Sequence, residues 1–156
     1  MPKKILLIDD IEAIRRDIRF YINPPVSAKE GVAKLIRKNK AALSGHHQID
    51  EAAQGQAGVE MVQAALDQGS PYDIVIVDLM LPPGINGIET IRRIRCVDQD
   101  VAIILCTGTG DITPDLVTAA NGREAIIVFK PELEGLNVLI SQLSRYSCFS
   151  GKAVAA

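Results

Sequence analysis

The chain has 156 residues, 47% of them apolar and 23% charged, and 17 basic against 19 acidic side chains leave a net charge of −2. That length predicts one domain with a sizeable core, and that charge gives no electrostatic case for nucleic acid or a membrane surface as partner. Cys96, Cys106 and Cys148 lack the spacing of a disulfide framework or zinc site, no stretch nears the ~20 apolar residues of a membrane span, and the expected compartment is the cytoplasm.

Ile5–Ile8 is a continuous apolar run suited to a strand buried on both faces, and it ends on Asp9-Asp10. Ile11, Ile14, Ile18 and Ile22 then fall near helical spacing, with Arg15, Arg16, Asp17 and Arg19 between them, until Asn23-Pro24-Pro25 stops the helix. Ser27 and Glu30 form a capping box at the start of an inserted helix over about 27–44, with lysines on its outer side and Ser44-Gly45 at its end. The more polar stretch His46–Ala52 predicts an edge strand. Its adjacent histidines point to opposite faces, which argues against a shared metal ion. Gly55 and Gly58 flank a turn into a helix over Val59–Gln68, closed by Gly69-Ser70-Pro71.

Ile74–Val77 repeats the buried-strand pattern and ends on Asp78. The loop Pro82–Gly87 leads into a helix from Ile88, with Ile91 and Ile94 inward and Arg92, Arg93 and Arg95 exposed. Val101–Cys106 predicts a fourth strand, followed by Thr107-Gly108. Thr113 and Pro114 mark the start of a helix that runs to Asn121-Gly122. Ala125–Phe129 is the fifth strand, ending in Lys130-Pro131, and Leu133, Leu136, Leu139, Ile140 and Leu143 give a last amphipathic helix to about Tyr146. Ser147–Ala156 has no periodicity and reads as a tail or the start of a linker. Five strands alternating with helices predict a parallel, doubly wound α/β domain over residues 1–146, with an insertion at about 24–45.

In such a sheet the C-terminal strand ends share one edge, so Asp9, Asp10, Asp78, Thr107 and Lys130 converge. Three carboxylates repel one another unless a cation lies among them, and hard oxygen ligands with open positions suit Mg²⁺. A hydroxyl and an ammonium at the rim suit phosphoryl oxygens. The chemistry that fits is attack by Asp78 on phosphorus, giving an aspartyl phosphate, with Asp9 and Asp10 as metal ligands.

The acidic pair after the first strand, Asp-Leu-Met-Leu-Pro-Pro-Gly-Ile-Asn-Gly from Asp78, Cys-Thr-Gly from Cys106 and Phe-Lys-Pro from Phe129 together resemble a two-component response-regulator receiver domain. The resemblance covers about residues 4–146. It implies a flavodoxin-like sheet of order 2-1-3-4-5, Asp78 as phosphoacceptor, and Mg²⁺ held by Asp10, Asp78 and the Met80 backbone carbonyl, with Asp9 acting mainly through water. It also implies that Thr107 and Lys130 take phosphoryl oxygens and that the Lys130–Pro131 bond is cis. The implied partner is a sensor histidine kinase or a phosphotransfer protein. Such a domain is a signalling element that catalyses only its own phosphorylation and dephosphorylation. Homodimers through the family's fourth and fifth helices are a family habit that the last amphipathic helix permits.

Three features depart from the usual pattern. The segment from about Pro24 to Gly45 is extra and resembles a receiver subgroup that accompanies sensor kinases and cyclic-di-GMP enzymes. Pro82-Pro83-Gly84 lengthens the loop after Asp78, and Ile127 stands where the family usually has a switch aromatic. Two other readings weigh less. A nucleotide- or flavin-binding module needs a glycine- or hydroxyl-rich loop after the first strand, where this chain has Asp9-Asp10-Ile11-Glu12. A phosphorylation-independent pseudo-receiver, acting as a protein-interaction module, normally lacks an acid or the lysine, and this chain keeps all of them.

Overall fold

Successive residues of a strand point to opposite faces of a sheet, and the apolar runs of this chain fill both. The computed structural model describes residues 1–24, 46–108, 125–130, 133, 136–143 and 145. Its elements in chain order are β1 (Lys4–Ile8), α1 (Glu12–Ile22), β2 (Gln48–Ala52), α2 (Gly55–Asp67), β3 (Ile74–Asp78), α3 (Gly87–Val97), β4 (Ala102–Thr107), β5 (Ile126–Phe129) and α4 (Leu136–Gln142). The strands form one parallel sheet of order β2-β1-β3-β4-β5. This is the expected flavodoxin-like arrangement.

On one face Leu6, Ile8, Val75, Val77, Ile103 and Leu105 meet Val62 and Ala65 of α2 and Ile91 and Ile94 of α3. On the other, Ile5, Leu7, Ile74, Ile76, Ile104 and Cys106 meet Ile18 and Ile22 of α1 and Leu136 and Ile140 of α4. β1 and β3 are therefore apolar at nearly every position, which a central parallel strand between two helix layers requires. β2 and β5 lie at the edges and are correspondingly less buried.

Several boundaries differ from expectation for physical reasons. α2 begins at Gly55, so Gly55 and Gly58 lie in its first turns rather than in a turn preceding a helix at Val59. Both allow close approach: a Cβ on Gly58 would lie 2.2 Å from Ile8 Cδ1, and one on Gly55 2.0 Å from Thr90 Oγ1. Gly69 closes α2 with φ +67°, a conformation that favours glycine. Asn86 caps α3, its side chain accepting the Glu89 N–H at 2.9 Å.

Arg95 is buried rather than exposed, because its guanidinium folds back to donate to the carbonyls of Val101 (2.6 Å) and Gln99 (3.3 Å) in the turn before β4. The peptide bond between Pro82 and Pro83 is cis. The expected helices over 27–44 and 113–121, the 147–156 tail and the conformation at Pro131 lie outside the described residues.

Candidate functional site

β1, β3 and β4 end level with one another: Ile8 pairs with Val77 and Asp78 with Cys106. That register carries Asp9 and Asp10, just past β1, to the side of Asp78. Ligand atoms of the three carboxylates lie within 4.8 Å of one another. Asp9 and Asp78 are buried at 1% and 5% exposure, while Asp10 is partly open to solvent.

Lys130, directly after β5, reaches across β4 to close the cluster. Its Nζ donates to Asp78 Oδ2 at 2.9 Å and lies 3.0 Å from Asp9 Oδ2. The Asp9 contact is an ion pair without good hydrogen-bond geometry, so that buried oxygen has coordination capacity to spare. Thr107, the last residue of β4, is buried and follows Cys106, the register partner of Asp78. Met80 exposes its side chain, and its backbone N–H favours the charged form of the Asp78 carboxylate.

The electrostatics follow from burial and count. Burial pushes the Asp78 carboxyl above its ordinary value, and the negative charge of Asp9 adds to the push. The hydrogen bond and charge of Lys130, then the Met80 N–H, oppose it. Burial alone would lower the Lys130 ammonium, but its bond to Asp78 and its ion pairing with Asp78 and Asp9 prevail and raise it. Cys106, sealed behind Asp78 on β4, has its thiol pushed up to about 12 by burial.

One ammonium among three carboxylates leaves negative charge in excess. A hard, divalent cation with oxygen ligands and retained waters meets that need, so the donor set fits Mg²⁺. Of the five side chains singled out in the sequence, Asp9, Asp10, Asp78 and Lys130 come together, and Thr107 ends the strand that neighbours Asp78. What the sequence reading missed are the groups that hold them: the Asn86 cap, the close approach of Gly87, and Arg15. Asn-Gly before an apolar helical pattern was the legible signal for the first two.

Residues 26–141 match the family model described as the response regulator receiver domain. The chain belongs to that family. The matched stretch of the receiver begins after Asp9-Asp10, and it is the sheet register that adds those two acids to the site. The receiver is 32% identical over 133 residues to the transcriptional regulatory protein YkoG of Bacillus subtilis, described as uncharacterized. That match covers 85% of this chain and 46% of the relative. It is also 32% identical over 151 residues to ResD, a transcriptional regulatory protein of the same organism, covering 94% and 52%. The chain thus spans about half the length of these curated relatives. In fold it resembles the signal receiver domain of an HD domain-containing protein from Pseudomonas fluorescens Pf-5. The TM-score is 0.64 at 20% identity, covering 92% of this chain and 94% of the other.

Proposed function

We propose that this receiver accepts a phosphoryl group on Asp78 from the phosphohistidine of a sensor kinase or phosphotransfer protein, with Mg²⁺ bound at Asp9, Asp10, Asp78 and the Met80 carbonyl. The observation that carries this reading is the Lys130 ammonium placed between Asp78 and Asp9 in a cluster of three carboxylates. An acid site kept this crowded is costly for stability alone, because each buried charge loses hydration. The receiver unit is read as residues 1–146, and its role as switching a partner or an attached output.

In the reaction an Asp78 carboxylate oxygen attacks phosphorus as the bond from phosphorus to the donor imidazole nitrogen breaks, and the imidazole keeps that electron pair. Bound Mg²⁺ supplies charge neutralisation and alignment of the phosphoryl oxygens. Lys130 exchanges its bond to Asp78 for one to a phosphoryl oxygen, so its ammonium stays paired. The Thr107 hydroxyl donates to a second oxygen. Asp9, buried and close to Lys130, holds the ammonium in place before and after transfer. The product is an acyl phosphate on Asp78, and its hydrolysis resets the site.

The test is intact mass after incubation with Mg²⁺ and acetyl phosphate. One added phosphate is expected for the wild type and none for Asp78→Asn. A wild type that stays unmodified and binds neither Mg²⁺ nor beryllofluoride overturns the reading. Lys130→Ala is expected to keep Mg²⁺ binding and to slow labelling by about 10²-fold or more, the loss of one positioned charge at the transferred group.

A further inference from the structure

Asp9 and Asp10 lie on a peptide just beyond the sheet, and part of what holds that peptide comes from outside the acid cluster. Arg15, in the first turns of α1, donates from Nη1 to the Asp9 carbonyl oxygen at 2.7 Å and from Nε to Glu51 Oε2 at 3.0 Å. Glu51, on edge strand β2, also pairs through Oε1 with Arg19 Nε at 2.9 Å. The rest of Asp9 is tied as well. Its N–H donates to the Ala52 carbonyl at 3.2 Å, and its Oδ1 accepts the Ile11 N–H at 2.9 Å.

The Asp9 carbonyl belongs to the same planar unit as the Asp10 N–H. Holding that oxygen therefore sets the rotation of the peptide from which Asp10 departs. The side chain of Arg15 is only 14% exposed, and its rigid fork lets one guanidinium serve both partners at once.

We infer that Arg15, oriented by Glu51, is a positioning residue for the metal site: it sets the Asp9–Asp10 peptide plane and so aims the Asp10 carboxylate at the ion. This rests on the assignment of Asp10 as a Mg²⁺ ligand. Coulomb's law and positioning predict opposite signs. Removing a cation near three carboxylates should tighten Mg²⁺ binding by charge alone, whereas loss of the aimed carboxylate should weaken it.

The experiment is calorimetric titration of Mg²⁺ into the full chain as wild type, Arg15→Ala, Glu51→Gln and Arg16→Ala, with a thermal melt of each. Arg16 is exposed and removes the same charge one position along. The expected result is Mg²⁺ affinity lowered about tenfold in Arg15→Ala, by the scale of outer-shell partners. A smaller loss is expected in Glu51→Gln and none in Arg16→Ala. In acetyl phosphate labelling, the loss falls on the Mg²⁺ concentration needed more than on the rate at saturation. The inference is overturned if folded Arg15→Ala binds Mg²⁺ as tightly as the wild type or more so, or if Arg16→Ala weakens it equally. If Arg15→Ala does not fold, Arg15→Met decides, since it keeps the apolar stem and removes the charge and both donors: weakened binding supports the role, and unchanged or tighter binding overturns it. A wild type that binds no Mg²⁺ removes the assignment of Asp10 and this role together. A wild type that binds, with Arg15→Ala unaffected, removes the role alone.

Discussion

Asp78 is both the residue on which the proposed chemistry turns and a liability to the fold. Burial raises its carboxyl in the metal-free protein, so the folded state favours the protonated form more than the unfolded state does. The stability this group contributes is present below its unfolded value, 3.8, and is lost as pH rises through the raised folded value. Asp78→Asn is therefore expected to raise the metal-free melting midpoint at neutral pH. The gain should shrink as pH falls toward the carboxylate range. Thermal melts over pH with a chelator present check this, and a lower midpoint for the variant at neutral pH contradicts it. Cys106 gives a second test at this scale. With its thiol pushed up to about 12 and buried, it should resist iodoacetamide at pH 8 in the native protein while exposed Cys96 reacts. Peptide mass mapping before and after unfolding distinguishes them.

Among the elements, the join between β3 and α3 shows how backbone proximity shapes the site. Gly87 opens α3, and its N–H donates to the Leu79 carbonyl at 2.9 Å. A Cβ there would lie 2.2 Å from the Asp78 carbonyl oxygen and 2.8 Å from Leu79 Cα, both backbone atoms with no rotamer to yield. Gly87→Ala should cost about 1–3 kcal/mol by overpacking and also weaken Mg²⁺ binding, since the displaced backbone carries Asp78 and Met80. Gly84→Ala, where a Cβ meets open space, should do neither. Denaturant titration and Mg²⁺ calorimetry on the pair check it, and equal behaviour of the two variants would refute the assignment. The edge near β2 is held differently: Asn23 and His47 exchange two hydrogen bonds, Nδ2 to the His47 carbonyl at 2.8 Å and the His47 N–H to Oδ1 at 3.0 Å. Expected strand and helix types were legible here because periodicity is local. The start of α2 was missed because Gly55 and Gly58 signal a turn in sequence, and only their packing against Thr90 and Ile8 explains them as helix.

At the scale of the whole molecule, one ion pair at the edge opposite the acid site ties distant segments together. Arg145, just past α4, grips Asp98 with Nη1 on Oδ2 at 2.7 Å and Nη2 on Oδ1 at 3.0 Å, and also donates to the Tyr72 carbonyl before β3. Asp98 in turn accepts the N–H groups of Asp100 and Val101 at the entry to β4. Asp98→Ala leaves a largely buried guanidinium and two amides without that acceptor, and should cost about 3–5 kcal/mol in urea unfolding. A cost below about 1 kcal/mol would reduce the pair to a surface contact.

What the sequence by itself determined was the kind of fold, and it pointed to the side chains that the proposed chemistry uses. Apolar runs of four residues fit only strands covered on both faces, and acids, hydroxyl and lysine at the strand ends could meet only on one sheet edge. Tertiary structure decided what holds them there. The ion pairs of Lys130 with Asp78 and Asp9 span separations that no local pattern encodes, as do the bond of Arg15 to Glu51 and the approach of Gly87 to the Asp78 backbone. Burial of Arg95 went the same way, because a guanidinium between helix arginines looks solvated until the turn before β4 brings carbonyls to it. Local periodicity selects elements, whereas distance and burial in three dimensions select partners.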